Sequence, residues 1–373
     1  MVAQSALAQI SDPLQCVDQL IGSSNGGEIP NALMVKLSLT HVLGNVFSGA
    51  TLPYGIAKAV ADTNSDSNQG GFTTDNSNVT GFSNMHDSGT GGSPSLGDFA
   101  LFPYASCVND TVDGCVFPKR ARAIPYINSS LIATPGYFSL TLQSGVSAAM
   151  TTAQHTSLFR FTFPPTATYG NTSSSPLVLV DLTDLSDSRQ DNASISVDAA
   201  TGRMTGNGRF LPSFGTGNYV AYFCADFSGS PIRDNGIFVN SRASADVKDL
   251  KISRSINNYP LPGGAFVRFT NSNPVTARVG LSFISSDQAC SNAEAEIPSF
   301  DFEETHSAAV NAWRTKLSSI NVSTTGVNNS ILKNFYSGIY RTMVNPQNYT
   351  GNVPMVSADQ MWFDSFYWCV PPY

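Results

Sequence analysis

Short segments rich in Val, Phe and Tyr, separated by Gly, Pro, Asn and Ser, follow one another between about residues 96 and 284. β-Branched and aromatic residues favour strands, whereas the small and polar residues between them favour turns. Some segments, such as residues 177–180, are apolar throughout, which is typical of strands covered on both faces. The pattern predicts antiparallel sheets joined by turns, as in a large β-sandwich.

Residues 68–99 form a different kind of stretch, rich in Gly, Ser, Thr, Asn and Asp. Because glycine weakens regular structure, this stretch is predicted to be a shaped polar loop rather than a continuous helix or strand. One interpretation is a surface loop that holds itself together through its own turns. The other is a ligand site into which His86, Asp87, Ser88 and Thr90 project, since such short polar side chains can hydrogen-bond a polyol.

Two amphipathic helices are predicted after Cys290, over residues 299–320 and 329–343. Apolar residues recur there at spacings of about three and four, and Asn345-Pro346 ends the second helix. Their predicted apolar faces contain Phe302, Val310, Trp313, Leu317 and Ile320 in the first helix, and Leu332, Phe335, Tyr336, Ile339 and Met343 in the second.

Charge and hydropathy exclude some partners. Charged residues make up 13% of the 373-residue chain and the net charge is -7, with no basic run that would bind phosphates, so no nucleic-acid partner is expected. No apolar run reaches the roughly 18 residues of a membrane-spanning helix, so no membrane partner is expected either. The N-terminus lacks the basic and apolar regions of an evident signal peptide.

The six cysteines lack the C-x-x-C spacing typical of zinc sites. Cys107 and Cys115 flank a turn-forming segment. They form either a local disulfide, if the compartment is oxidising, or a pair of ordinary buried thiols.

Eight Asn-x-Ser/Thr sequences are compatible with a secreted glycoprotein. A chain rich in Asn, Ser and Thr also yields many of them by chance, so they permit secretion without establishing it. The asparagines are Asn78, Asn109, Asn128, Asn171, Asn192, Asn321, Asn328 and Asn348.

Three blocks carry a family resemblance: FSGATLPYGIAKAVADT at residues 47–63, GFSNMHDSGTGGSPSLGDF at 81–99 and YRTMVNPQNYTG at 340–351. Together they resemble the N-terminal part of a fungal member of glycoside hydrolase family 92, a family that consists mainly of calcium-dependent α-mannosidases. His86 matches the family loop. The family has a second histidine where this chain has Asn84, so no role is carried over to that position.

The resemblance implies a domain order. Residues 1–290 correspond to a β-sandwich N-terminal domain, 291–325 to a helical linker, and 326–373 to the truncated start of an (α/α)6 catalytic barrel. Residues 28–44 are absent from the family pattern and are expected to be an insertion.

The resemblance also implies which residues take part in the chemistry. His86, Asp87 and Asp364 are the predicted substrate-binding residues. The catalytic acid and base and the calcium ligands of the family are expected beyond residue 373, so no catalytic or metal-binding residue is assigned here. Asp181, Asp184 and Asp187 are the densest carboxylates, and they are interpreted mainly as turn residues that follow a buried strand.

The favoured function is that of a truncated α-mannosidase. The complete enzyme would be secreted and would hydrolyse terminal α-linked mannose of glycans with inversion and with bound calcium, whereas this chain alone is expected to be inactive. The alternative is a non-catalytic carbohydrate-binding β-sandwich, for which mannoside binding without turnover would be the signature.

Overall fold

The structure is a computed structural model. It describes residues 12–23, 46–65, 69–88, 96–165, 168–169, 172–173, 175–211, 218–323, 326–349 and 351–352. The expected insertion at residues 28–44, together with Thr90 and Asp364, lies outside the described residues.

Two large antiparallel sheets form most of the fold, as the strand pattern predicts. The eight-stranded sheet has the spatial order β1 (Ala50–Thr51), β2 (Lys58–Thr63), β3 (Val79–Ser83), β4 (Leu101–Tyr104), β11 (Leu177–Asp181), β18 (Gly263–Phe269), β15 (Ile232–Val239), β16 (Arg242–Ser244). The strands β1 to β3 precede residue 96, so the strand-rich region begins earlier than the sequence pattern predicts.

The second sheet has nine strands. Their spatial order is β17 (Asp249–Ile252), β12 (Ala193–Val197), β13 (Met204–Phe210), β14 (Tyr219–Ser228), β19 (Val275–Ser282), β8 (Thr156–Thr162), β7 (Ser147–Thr152), β6 (Tyr137–Thr141), β5 (Ile132–Thr134). A separate hairpin consists of β9 (Thr168–Tyr169) and β10 (Thr172–Ser173).

Aromatic side chains join the two sheets into a sandwich. Phe82 of β3 lies 5.8 Å from Phe161 of β8 between ring centroids, and Phe227 of β14 lies 6.1 Å from Phe269 of β18. Phe82, Phe161 and Phe269 are fully buried, and complete burial of one such side chain stabilises the fold by roughly 1.5–3 kcal/mol. Every residue of β11 is buried, which confirms the prediction of a strand covered on both faces.

Three α-helices follow the last strand: α1 (Ser286–Glu296), α2 (Phe302–Leu317) and α3 (Asn329–Arg341). The side chains of Ser285, Asp301 and Asn328 accept hydrogen bonds from the first turns and so cap these helices. The helices α2 and α3 lie within the predicted ranges, whereas the sequence pattern does not predict α1.

The predicted apolar faces are only partly correct. Leu332 and Tyr336 of α3 are buried, but Phe335 is 42% exposed, because Ser337 and Tyr340 take the inward positions instead. Ile320 lies beyond the end of α2 and is 37% exposed.

The segment before the first strand binds to α3. The backbone N–H of Asp18 donates to Ser337 Oγ at 2.9 Å, and Gln19 Nε2 donates to the hydroxyl of Tyr340. Lys333 Nζ lies 3.3 Å from a carboxylate oxygen of Asp18. These contacts connect residues more than 300 positions apart in the sequence.

Trp313 fixes α2 to the first sheet. Its side chain is fully buried, its Nε1 donates to the carbonyl oxygen of Thr51 at 2.6 Å, and its ring lies 4.2 Å from that of Tyr340. This tryptophan is a core residue. The described part of the chain contains no helix long and apolar enough to cross a membrane.

Two disulfides reinforce the fold. Cys107 and Cys115 are bonded to each other, which decides between the two alternatives in favour of the local disulfide. Cys224 of β14 is bonded to Cys290 of α1, a link that the cysteine spacing does not predict.

Candidate functional site

The Gly-rich stretch is held at its base by a buried histidine. His86 follows β3 and is fully buried. Its Nδ1 lies 2.8 Å from the carbonyl oxygen of Lys58, and its Nε2 lies 2.8 Å from Asp62 Oδ1 and 2.9 Å from Ser83 Oγ. Both ring nitrogens of His86 therefore have hydrogen-bonding partners within the protein.

Two further residues confine the imidazole. The ring of Phe47 stacks on it with a centroid distance of 5.5 Å. Gly71 approaches from another side with a φ of +87°, and a Cβ there would lie 2.6 Å from His86 Nε2. Glycine is therefore required at position 71 both by the backbone and by the space that His86 occupies.

A buried lysine lies beside this histidine. Lys58 is fully buried, and its Nζ donates to the carbonyl oxygen of Gly55 at 3.0 Å. Burial lowers the pKa of the Lys58 amine to about 7, and the negative charge of Asp87 opposes part of that fall. Asp87 is itself 1% exposed, so the lysine and the carboxylate share a buried polar environment.

The two arms of the loop are tied together. Asn84 Nδ2 donates to the carbonyl oxygen of Phe99 at 3.0 Å, and the N–H of Gly97 donates to the carbonyl oxygen of Met85 at 2.6 Å. The N–H of Lys58 donates to the carbonyl oxygen of Asn84 at 2.7 Å and so attaches this base to β2. We call residues 84–88 and 96–99 the loop base.

The second segment of the loop base, residues 96–99, contains another buried carboxyl group, that of Asp98. Asp98 accepts a hydrogen bond from the hydroxyl of Tyr219, which lies 3.1 Å from Asp98 Oδ2. Burial raises the pKa of the Asp98 carboxyl well above its usual range, and the nearby charge of Asp184 adds to that rise. The loop base is thus attached to both sheets, through β2 on one side and β14 on the other.

The structure describes two of the three predicted substrate-binding residues. His86 and Asp87 lie together in the loop base, but both are buried, and both ring nitrogens of His86 already bind protein atoms. Asp364 lies outside the described residues. The prediction that these three residues contact substrate stays a prediction.

Three buried residues around the loop base do not stand out in the sequence as site residues: Lys58, Asp62 and Asp98. A signal for two of them exists, because Lys58 and Asp62 are charged residues within a strand whose residues are otherwise small or apolar. No comparable local signal exists for Asp98, since its burial depends on Tyr219, which is 121 positions away.

The acidic cluster after β11 has structural partners. Asp181 pairs with Arg122 at 2.6 Å in the core, Asp184 accepts the N–H of Ser188 at 2.7 Å, and Asp187 pairs with Lys119 at 2.6 Å. These contacts favour the interpretation of the three carboxylates as turn and anchoring residues.

The contacts of this region hold the loop base to the sheets. Glycoside hydrolysis normally uses two carboxyl groups that face each other across the scissile bond. Asp62, Asp87 and Asp98 are 3% exposed or less. Within the described ranges, no three His, Cys, Asp or Glu side chains come together to hold a metal ion.

The two-sheet sandwich corresponds to a known type of domain. Residues 16–282 match the glycosyl hydrolase family 92 N-terminal domain, and residues 288–368 match the catalytic domain of the same family. The chain therefore belongs to glycosyl hydrolase family 92, as the three sequence blocks indicate.

One relative is described as an uncharacterized secreted glycosidase of Arthroderma benhamiae, and it is 45% identical over 379 residues. This alignment covers 100% of the present chain and 47% of the relative. The chain thus spans about half the length of the curated relative it matches.

Solved structures share the fold. A GH92 family glycosyl hydrolase superposes with a TM-score of 0.76 at 20% identity, over 95% of this chain and 45% of that one. A family GH92 α-mannosidase from Bacteroides thetaiotaomicron superposes with a TM-score of 0.71 at 19% identity, over 91% of this chain and 41% of its own. The antiparallel β-sandwich is thereby confirmed.

Proposed function

We propose that this chain is part of a secreted α-mannosidase that hydrolyses terminal α-linked mannose of glycans with inversion. The observation that carries the proposal is the family match, which runs through the loop base and continues into the catalytic domain from residue 288. Solved relatives of the same fold include an α-mannosidase bound to mannoimidazole and a mannosidase described as inverting. The secreted glycosidase of Arthroderma benhamiae supports the proposed location.

The proposed roles of the parts of this chain follow their order in the sequence. Residues 1–290 form the sandwich domain, 291–325 the helical linker and 326–373 the first part of the catalytic domain. We propose that the isolated chain is inactive and that the rest of the enzyme provides the catalytic acid and base.

For the loop base we propose an indirect role in sugar binding. The ring of His86 is held by Lys58 and Asp62, and it fixes the start of the polar loop. The loop in turn would present its hydroxyl and amide groups to the mannose. Direct contacts of His86, Asp87 and Asp364 with substrate remain part of the proposal for the complete enzyme.

Calcium dependence also belongs to the complete enzyme. The described residues provide no group of three ligands for a metal ion, so no step is assigned to calcium through the residues of this chain. In the proposed enzyme, calcium would bind the sugar and favour its distortion.

The experiment is a hydrolysis assay on the complete polypeptide. A nitrophenyl α-mannoside and an α-linked mannobiose are the substrates, with the corresponding α-glucoside as the matched control. We expect release of β-mannose, followed by NMR of the anomeric proton, and loss of activity with a calcium chelator. Equal turnover of the glucoside, or no turnover of any mannoside by the folded protein, would overturn the proposal.

One observation favours the second candidate, a carbohydrate-binding module. The outer face of β6, β7 and β8 contains a shallow cavity of about 230 Å³. Its lining combines an aromatic ring and a guanidinium, from Tyr137 and Arg160, with the hydroxyls of Ser139 and Thr162. Mannoside binding without hydrolysis, abolished by Tyr137→Ala, would support this candidate over the first.

A further inference from the structure

Four of the Asn-x-Ser/Thr asparagines share a structural feature: each is exposed and directly follows an exposed, large apolar residue. The remaining described ones differ, since Asn78 and Asn348 are half-buried and Asn192 is exposed but follows Asp191. The four pairs are Val108–Asn109, Ile127–Asn128, Ile320–Asn321 and Val327–Asn328, in which the apolar residues are 50%, 44%, 37% and 36% exposed.

We propose that Asn109, Asn128, Asn321 and Asn328 carry N-linked glycans and that the first sugar of each glycan covers the preceding apolar side chain. A sugar ring has an apolar face formed by its C–H groups. Placing that face on an exposed valine or isoleucine removes apolar surface from water, while the hydroxyl groups of the sugar stay hydrated. The inference rests on the proposed secretion and is independent of hydrolytic activity.

The modification is a group transfer from a lipid-pyrophosphate-linked oligosaccharide. Asparagine Nδ2 forms a bond to the anomeric carbon of the first sugar, and the bond from that carbon to the pyrophosphate oxygen breaks. The leaving group keeps the electron pair, and Nδ2 loses one of its two protons to a base. Each asparagine therefore retains one N–H and its side-chain carbonyl oxygen.

The folded structure accommodates that product at two informative positions. Asn128 Nδ2 donates one hydrogen to Asn76 Oδ1 at 2.7 Å, so its second hydrogen is the one replaced. Asn328 caps α3 through Oδ1, which accepts the N–H of Ser330 at 2.8 Å. A glycan on the nitrogen of Asn328 thus leaves the helix cap intact.

The pair Ile127–Asn128 lies where shielding has the largest effect. It precedes β5, which is the edge strand of the nine-stranded sheet, and Ile132 at the start of β5 is 49% exposed. An edge strand beside exposed apolar residues is a template for pairing with a second chain. A glycan on Asn128 would cover this edge.

The occupancy test is peptide mass spectrometry of the full chain secreted from a eukaryotic host. Glycans are removed by a peptide N-glycosidase in heavy-oxygen water, which converts each glycosylated asparagine to a labelled aspartate. We expect label at Asn109, Asn128, Asn321 and Asn328, and none at Asn78 or Asn348. Secreted protein without label at the first four would overturn the proposal, whether or not it hydrolyses mannosides.

The shielding test compares two enzymes on the folded, unmutated protein. An endoglycosidase that leaves the first sugar in place should not change the binding of an apolar fluorescent dye, whereas complete removal of the glycans should raise it several-fold. Among variants, Asn128→Gln should raise dye binding and Asn192→Gln should not, and adding Ile127→Ser to Asn128→Gln should reverse the rise. Equal dye binding after both enzymes would overturn the shielding role.

Discussion

The side chain of Asn84 and the backbone of Phe99 are joined by one hydrogen bond of 3.0 Å, from Nδ2 to the carbonyl oxygen. This bond closes the loop base across 15 positions of sequence. The amide of Asn84 therefore has a structural role in this chain, because it supplies the N–H donor that connects the two segments of the loop base.

Removing that donor should destabilise the protein. Asn84→Ala leaves the carbonyl oxygen of Phe99 buried without this partner, and we expect the free energy of unfolding to fall by about 1–3 kcal/mol. Urea unfolding measures the loss. The control is Asn334→Ala on the exposed surface of α3, which should change stability by less than about 0.5 kcal/mol. Equal effects of the two substitutions would contradict the role given to Asn84.

The close packing around Gly71, against His86 and Val60, can be separated from backbone strain with a matched glycine. Gly145 has a similar φ of +84°, but a Cβ there would meet only Pro164, at 3.5 Å. We expect Gly145→Ala to cost about 1–2 kcal/mol for backbone strain alone. Gly71→Ala should cost a further 1–3 kcal/mol, roughly, because its Cβ would lie 2.6 Å from both His86 Nε2 and Val60 Cγ1 and would displace these side chains. Thermal unfolding of both variants gives the difference, and a difference near zero would show that His86 is not confined.

The buried lysine predicts a pH dependence of stability. The pKa of the Lys58 amine is about 7 in the folded protein, whereas its ordinary value, which applies to the unfolded chain, is 10.5. Between pH 7 and pH 10.5 the unfolded chain therefore binds more protons than the folded protein. The contribution of the Lys58 amine to the free energy of unfolding therefore becomes more favourable as the pH increases from 7 towards 10.5. Below pH 7 the amine is charged in both states, so the full cost of burying that charge is present. Lys58→Met removes this dependence.

The measurement for Lys58 is the free energy of unfolding of the unmutated protein and of Lys58→Met at several pH values. The stability of the unmutated protein relative to the variant should rise by roughly 2 kcal/mol from about pH 7 to about pH 9. A difference that does not depend on pH would show that the Lys58 amine titrates normally.

The two disulfides should differ in their effects on stability. Cys224 and Cys290 are separated by 66 positions, and Cys107 and Cys115 by 8. A disulfide that closes a longer loop restricts the unfolded chain more. Replacing Cys224 and Cys290 with alanines should therefore cost about 4 kcal/mol, and replacing Cys107 and Cys115 about 2.5 kcal/mol. Chemical unfolding without reductant measures both, and the reverse order would contradict the loop-entropy explanation.

Sequence patterns predict the sandwich and two helices but not α1. The buried residues of that helix are Ala289, Asn292 and Ala293, so it has no stripe of large apolar residues. Its packing depends instead on close approach to Gly280 of β19, where an added Cβ would lie 2.0 Å from the carbonyl oxygen of Ala289. A helix held by small residues has too weak a periodicity to be recognised.

The candidate site is predictable only in part for a similar reason. The polar loop and His86 are evident from the composition and the family pattern of one continuous stretch. Their supports are not, because Asp62 and Tyr219 reach the loop base from 24 and 121 positions away. Burial and pairing at such separations depend on the register of the sheets, which local sequence does not specify.

The contacts of Asp18 and Gln19 with α3 affect the order in which the chain can fold during synthesis. Both residues leave the ribosome early, but Ser337 and Tyr340 are made about 320 positions later. At about 5–20 residues per second, the N-terminal segment waits roughly 15–60 s for these partners. The sandwich strands are all synthesised within that interval. The closing of the N-terminal segment onto α3 thus follows the synthesis of the sandwich strands, and a nascent chain interrupted before α3 leaves that segment without these two contacts.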